Sequence, residues 1–387
     1  MKKQITPNNE RFLTNDKPRK ILALDGGGIR GVLTLEILFE IEKQLQKELG
    51  KGEDFCLGDY FDYIGGTSTG AIIAAGLSLG MKVETLLDFY QKKGKAMFDK
   101  TFIMNQFWHS YNKSPLEKEL RKTFGGGDID LESERFKTLL LIVTMNLTTD
   151  SPWPISNNPW AKYNARNRQD CNLKIPLYKL VRASTAAPTF FPPEILQWDP
   201  DDPNKTFIFV DGGVTPYNNP AFLLYRMATQ KAYGLEWKTG EKELLIVSVG
   251  TGSAVTPKAY DNLISTAKTI PNNLMYAMQV DQDINCRTVG RCVYGAKIDR
   301  ELDEMIPMKE DGTLEKMEND AGRHFSYVRY NADLSQEALN EIGLKYINSE
   351  HVRKMDSTKH IKKLREVGTV TGKNQVKVKE HFRFFLK

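Results

Sequence analysis

Three short segments of this chain carry residues whose types and spacing suit acyl transfer. Gly66-Thr67-Ser68-Thr69-Gly70 has the G-x-S-x-G pattern, in which a serine sits on a sharp strand-to-helix turn and flanking glycines leave its hydroxyl open to approach. At such a turn Ser68 lies at a helix N-terminus, where backbone N–H groups and the helix dipole favour developing negative charge. Glycine and serine are common, so the pentapeptide alone says little. Its place between the apolar run 61–64 and the small-residue stretch 71–79 gives it weight. In Asp25-Gly26-Gly27-Gly28-Ile29-Arg30-Gly31, successive glycines let consecutive N–H groups point into one anion-binding concavity. The anion is either a phosphate or the oxyanion of a tetrahedral acyl intermediate. A dinucleotide fold would place an acid at the end of a following strand about twenty residues further on, and a P-loop would carry a lysine. Neither is present, which favours the oxyanion. Arg30 reads equally well as a local salt-bridge partner or as a group that meets a substrate phosphate. The third segment, Asp211-Gly212-Gly213, puts a carboxylate at the end of an apolar run with cleared space beside it, although Asp-Gly is first of all a turn signal.

A serine nucleophile needs a base. The chain has five histidines, His109, His324, His351, His360 and His381. In a Ser-Asp-His hydrolase the histidine follows the acid late in the chain, and only His324 adjoins a strand-like run. The others read as surface residues. If no histidine serves, Asp211 must take the proton itself, with the oxyanion hole carrying much of the stabilisation. Asp150, Asp199, Asp201 and Asp202 lack the regular ligand spacing of a calcium loop and read as solvated turns.

The elements that must hold these segments alternate along the chain. Residues 20–25 read as a short buried strand entering the glycine cluster, and Val32, Leu35, Leu38, Phe39, Ile41 and Leu45 recur at helical spacing behind it. The run 61–64, the elbow and the following small residues repeat that strand, turn and helix. Apolar runs at 138–146, 206–211 and 243–250 suit strands of a parallel sheet covered on both faces. Helical stretches near 82–95, 114–124, 177–185 and 221–233 separate them, which predicts an α/β sheet with helices on both sides. Residues 151–170, rich in Pro, Asn, Trp and Arg, read as a long ordered loop or lid. Beyond about 252 the pattern is mostly helical, with one strand at 324–331. The expected organisation is a polar arm over 1–18, a catalytic core over 19–252 and a mainly helical C-terminal region over 253–387, which completes the fold and is a candidate for regulation.

Composition narrows the class. With 387 residues, 40% of them apolar, disordered and fibrous classes are disfavoured. A net charge of +5 is too small at this length for a dedicated DNA binder. Residues 351–387 hold eleven Lys/Arg against three acids, a face suited to an anionic membrane or a phosphate-bearing ligand, or simply to solvent. Four cysteines without a CxxC pair fit the reduced cytosol, and no secretory leader is expected. The longest weakly polar stretch, 71–80, is about half the ~20 residues that cross a bilayer, so any membrane contact is expected to be peripheral.

The segments DGGGIRG, GTSTG and DGG, in this order and in these strand contexts, resemble the patatin-like phospholipases over roughly residues 18–250. The resemblance implies a three-layer α/β/α fold around a mainly parallel sheet and a Ser-Asp dyad that works without histidine. Carried onto this sequence, it makes Ser68 the nucleophile, Asp211 the general base, and the amides of Gly26, Gly27 and Gly28 the oxyanion hole. Asp25, Arg30, Gly31, Gly66, Gly70, Gly212 and Gly213 would support them. DGG stands where many relatives have DGA, and both keep the space open. The implied reaction is hydrolysis of phospholipid acyl esters through an acyl-enzyme, with no cofactor or metal. The chain is also similar to the cyclic-oligonucleotide-activated phospholipases of anti-phage CBASS systems, the CapV-like effectors, which join such a core to a helical C-terminal part of about this length. That likeness implies a cytoplasmic protein, peripheral at the inner membrane when active, with a cyclic di- or trinucleotide from a partner synthase as activator and a homo-oligomer on activation. No motif reads a nucleotide directly.

Trp153, Trp160, Phe190 and Phe191 are candidates for a lid or acyl pocket, with plain packing the simpler reading for the two phenylalanines. Arg287, Arg291 and Lys297 are candidates for binding an anionic activator or lipid headgroups. Three other functions stay open: a lipid transacylase or acyltransferase with the same dyad, a cyclic-nucleotide-binding module with a relic core, and a His324-dependent esterase. Retention of Ser68, Asp211 and the whole glycine loop speaks against the relic.

Overall fold

The computed structural model describes residues 11–98, 115–165, 167–188, 191–199, 201–253, 263–298 and 322–387. Strand β1, Arg19–Leu24, contains four successive apolar residues from Ile21 to Leu24 with no exposed surface. Side chains of a strand alternate between faces, so these four residues feed two cores. Leu22 and Leu24 pack with α1 (Gly31–Glu48), α2 (Thr69–Ser78), α3 (Val83–Phe98), α4 (Pro115–Thr123) and α5 (Leu177–Ser184). Ile21 and Ala23 enter the opposite core with α6 (Ala221–Thr229). The result is three layers, helix on sheet on helix.

The other strands before residue 253 are β2 (Tyr63–Thr67), β3 (Leu139–Asn146), β4 (Ser151–Ser156), β5 (Glu194–Gln197), β6 (Thr206–Asp211) and β7 (Leu244–Val249). The later part adds α7 (Leu263–Val289), β8 (Arg291–Tyr294), β9 (Ser326–Tyr330), α8 (Gln336–Glu341), α9 (Ser349–Val352), α10 (Ile361–Gln375) and α11 (Val378–His381). Strand order is β5-β6-β3-β2-β1-β7-β9-β8, with β4 also paired to β3. From β3 through β2, β1, β7 and β9 to β8 every pairing is parallel, whereas β4 and β6 run antiparallel to β3, and β5 antiparallel to β6.

Three sequence expectations need correction. The run 206–211 is not a parallel strand. Ile208 is exposed and burial is complete only from Phe209 to Asp211, so β6 is a half-solvated strand of the kind that pairs antiparallel at a sheet margin. Residues 151–170 do not begin as a loop. Ser151–Ser156 pair with Asn146 to Leu141, and Pro152 and Pro154 fall at alternate positions of an edge strand, where a missing N–H costs no ladder bond. The region after 253 supplies β8 as well as the expected β9, and β9 lies directly against β7. Its helix α10 packs on α1, where the bare α-carbon of Gly368 sits close to Leu33 and Glu36, and Arg365 Nε meets Glu36 Oε1 at 2.6 Å. Among the described residues no helix is long and apolar enough to cross a membrane.

Candidate active site

Strand β3 sets the geometry of the site. Thr67 is registered against Val143 and Asp211 against Thr144, so the ends of β2 and β6 are held at neighbouring positions of one strand. Ser68 follows Thr67, and its Oγ donates to Asp211 Oδ2 at 2.6 Å. The other carboxylate oxygen, Oδ1, accepts from the Gly213 N–H at 2.7 Å. Both acid oxygens are thereby fixed, one of them on Ser68 Oγ.

Ser68 has φ 56° and ψ −122°, a conformation that costs a non-glycine residue about 1–3 kcal/mol and turns strand into helix within one residue. Its surroundings hold it there. The Ser68 N–H donates to Ser184 Oγ at 2.9 Å, and that hydroxyl donates to the Val143 carbonyl at 2.6 Å. Gly66 and Gly70 make the turn sterically feasible, because a β-carbon on Gly66 would collide with the Gly70 carbonyl and one on Gly70 with the carbonyl of Leu24. The same closeness seats Gly31 against Thr69 and Gly212 against Val143.

Burial pushes the Asp211 carboxyl up to about 6, against the opposing pull of Ser68, the Gly213 amide and the charge of Arg182. The group is therefore ionised at neutral pH yet basic enough to accept a proton.

The glycine loop leaves β1 beside the elbow. A β-carbon on Gly26 would stand 3.2 Å from Ser68 Cβ. The Gly26 N–H, however, is already donated to the Asn218 carbonyl at 3.1 Å, so it drops out of the three amides named from sequence. The segment after the Asp211 turn runs back along the loop, and sequence gives no sign of that. The N–H groups of Gly27 and Gly28 make no hydrogen bond among the described residues, while Gly28 takes φ +61°. Two neighbours brace the loop: Thr251 Oγ1 donates to the Gly26 carbonyl at 2.9 Å, and the Ile29 N–H donates to the Met355 carbonyl at 2.9 Å. Arg30 is buried and donates to the Arg353 carbonyl at 3.3 Å; burial lowers its pKa to about 10, which leaves it charged at neutral pH. Asp25 anchors the loop from below. Arg329 of β9 grips both its oxygens at 2.8 and 2.6 Å and also donates to Ser248 Oγ, and Gln279 of α7 adds a bond at 3.2 Å. Burial opposes charge on Arg329, but the adjacent Asp25 carboxylate outweighs it and raises the guanidinium above the ordinary arginine range.

Other candidates lie elsewhere. His324 sits just before β9, at the end of the sheet away from Ser68, and its Nδ1 is 2.5 Å from Tyr225 Oη. His351 and His360 stack on one another, and His381 Nδ1 meets Tyr330 Oη at 2.7 Å. Among the described residues no histidine nitrogen bonds Ser68 or Asp211; His109 and Phe190 lie outside them. Trp153 packs in an aromatic cluster with Trp198, Phe207 and Phe209, and Trp160 packs beside Gly234. Phe191 lies under the Arg182 guanidinium. Arg287 is not available to an activator, because it is buried and paired with Asp283 at 2.9 Å within α7; Arg291 pairs with Glu241, and Lys297 is exposed. Asp199 and Asp202 cap turns.

A profile of the patatin-like phospholipases matches residues 22–225, which include the elbow, the glycine loop and Asp211. The chain belongs to this family. Among patatin-like relatives, it is 27% identical over 278 residues to Patatin-T5 of Solanum tuberosum, covering 68% of each chain. It is 31% identical over 244 residues to a cGAMP-activated phospholipase of Escherichia coli strain TW11681, covering 61% of this chain and 63% of that one. The chain thus spans about two thirds of the length of these relatives. Human GIVD cytosolic phospholipase A2 superposes with a TM-score of 0.46 at 10% identity, over 99% of this chain and 65% of that one, a likeness too distant to add to the assignment.

Proposed function

We propose that this patatin-like chain is a lipid acyl hydrolase that cleaves fatty acyl esters of membrane glycerophospholipids through a Ser68-Asp211 dyad. The observation that carries this reading is the 2.6 Å hydrogen bond from Ser68 Oγ to Asp211 Oδ2 at a strained strand-to-helix turn. Ser68 Oγ attacks the ester carbonyl as its proton passes to Asp211, and the amides of Gly27 and Gly28 take the developing oxyanion. Asp211 returns the proton to the departing lysolipid oxygen. Water then releases the fatty acid from Ser68. Serine, carboxylate and amides suffice for this sequence of steps without a metal.

The likeness to a cGAMP-activated phospholipase supports a cyclic di- or trinucleotide as activator, and with it a role in anti-phage defence, in the cytoplasm and peripherally at the inner membrane. A homo-oligomer forms on activation in this reading. The test is release of free fatty acid from phospholipid vesicles by purified protein across a panel of cyclic di- and trinucleotides, with Ser68→Ala as control. Hydrolysis that rises with one nucleotide supports the whole reading. Hydrolysis indifferent to all of them removes the activator and leaves the hydrolase.

A further inference from the structure

Large apolar side chains are well exposed at nine places among the described residues, and five of them lie around the catalytic edge of the sheet. Three of the five form one row. β2 stops at Thr67, and from Thr144 onward its place beside β3 is taken by β6, so β6 and the end of β3 stand beyond the edge that carries Ser68. Asn146 is registered against Phe209, the Leu147 N–H donates to the Ile208 carbonyl at 2.8 Å, and Ile208 is registered against Ile195 of β5. Partners on neighbouring strands share a face, so Leu147, Ile208 and Ile195 line up across three strands. They are 47%, 40% and 63% exposed. The other face of these strands is covered, with Leu196 and Phe209 packed on Ala183 and flanked by Trp153, Trp198 and Phe207. An open sheet face ordinarily carries polar side chains, and this one carries aliphatic ones.

The remaining two flank the base turn. Val214, shortly after Asp211, is 45% exposed. A methyl group on Gly213 would stand 3.5 Å from Met275 Cε, and Gln279, one helical turn further along α7, bonds Asp25. This stretch of α7 therefore runs from the base turn to the glycine loop, and Leu274, beside Met275, is 57% exposed. Charge is missing from all three segments. Residues 139–149, 206–218 and 273–280 hold a single charged side chain in a chain that is 27% charged, and it is Asp211, buried on Ser68. Glu194, next to Ile195, is registered against Phe209 and so points to the covered face.

We propose that Leu147, Ile195, Ile208, Val214 and Leu274 form a docking surface that seats the catalytic edge on a phospholipid bilayer. The inference rests on the phospholipid substrate of the proposed function, which makes a bilayer the surface this edge must meet. Single exposed apolar side chains are ordinary, whereas a group of them around one site marks a contact surface. A protein partner would be met by a polar rim, and an anionic ligand by Lys or Arg. A surface without charge enters the headgroup region with no ion to desolvate, and apolar contact holds it there.

Co-sedimentation with phosphatidylcholine vesicles in about 0.5 M salt, where the basic C-terminal face is screened, tests this surface apart from turnover. The wild type should bind. Leu147→Gln combined with Ile195→Gln and Leu274→Gln should weaken the partition about 100-fold, roughly fivefold for each half-exposed aliphatic group removed. The ratio of vesicle hydrolysis to hydrolysis of a soluble short-chain ester should fall with it. Phe39→Gln combined with Val293→Gln, at exposed apolar positions on α1 and β8, should bind as the wild type does. If the triple variant does not fold, Leu274→Gln alone carries the test, with about a fivefold loss. The proposal is overturned by vesicle binding that the triple variant keeps or that salt abolishes. It is also overturned by a wild type that self-associates through these residues while the triple variant is monomeric. Failure of the hydrolase looks different: binding would still depend on the three side chains, but the wild type would release no fatty acid with any nucleotide.

Discussion

Asp211→Asn keeps the shape of a carboxyl that burial raises from 3.8 to about 6, and removes its charge. In the unfolded chain this group ionises near 3.8, whereas in the fold it holds its proton to about 6. A carboxyl raised on folding contributes stability below its unfolded pKa and loses that contribution as pH climbs through the folded value. Between about pH 4 and pH 6 the wild type therefore gives up roughly 3 kcal/mol, and above pH 6 the deficit is constant. Asparagine does not titrate. It still offers an oxygen to the Gly213 N–H, now 2.7 Å from Oδ1, and a polar group to Ser68. Urea denaturation of both proteins at pH 4 and pH 8 is the assay. The variant should be close to the wild type at pH 4 and more stable by up to roughly 3 kcal/mol at pH 8, while hydrolysis falls by about 10² to 10⁴, the usual contribution of a general base. A stability difference equal at the two pH values, or a wild type that is the more stable at pH 8, would refute the reasoning that the base is a carboxylate held at the expense of burial.

In the proposed mechanism the same carboxyl sets the acid limb of activity. kcat/KM should rise with pH to a plateau above about 6 and fall tenfold per unit well below it, because only ionised Asp211 accepts the Ser68 proton; a profile flat from pH 4 to pH 8 would contradict this. Arg329→Met should cost about 3–5 kcal/mol by leaving the Asp25 carboxylate buried and unpaired, and Asp25→Asn combined with Arg329→Met should recover most of that loss in a denaturation midpoint.

Much of this site is legible in the sequence because its chemistry is local. The elbow glycines, the glycine loop and the Asp211 turn each sit where an apolar run ends, so residue type and periodicity locate them without the fold. The sequence does not reveal what depends on register and chain return. That Asp211 meets Ser68 follows from β6 running antiparallel and ending beside Thr144, which an apolar run of six residues cannot announce. The loss of the Gly26 amide to Asn218, the brace from Thr251 and the clamp of Arg329 on Asp25 all join residues more than 190 positions apart. Arg329 lies inside the strand-like run 324–331, whose residues give no sign of a partner in the glycine loop. Asn218 lies in the polar stretch DGGVTPYNNP right after the Asp211 turn, where residue type gives no sign of the chain's return to the glycine loop.

The central claim is that the hydroxyl of Ser68 and the carboxylate of Asp211 together open a phospholipid ester. Free fatty acid released from phospholipid vesicles, measured side by side for the wild type, Ser68→Ala, Asp211→Asn and His324→Ala, tests it most directly. The account predicts release by the wild type and His324→Ala alike, and at least a hundredfold loss in each of the other two. Full activity in Asp211→Asn, with loss confined to Ser68→Ala and His324→Ala, would contradict it.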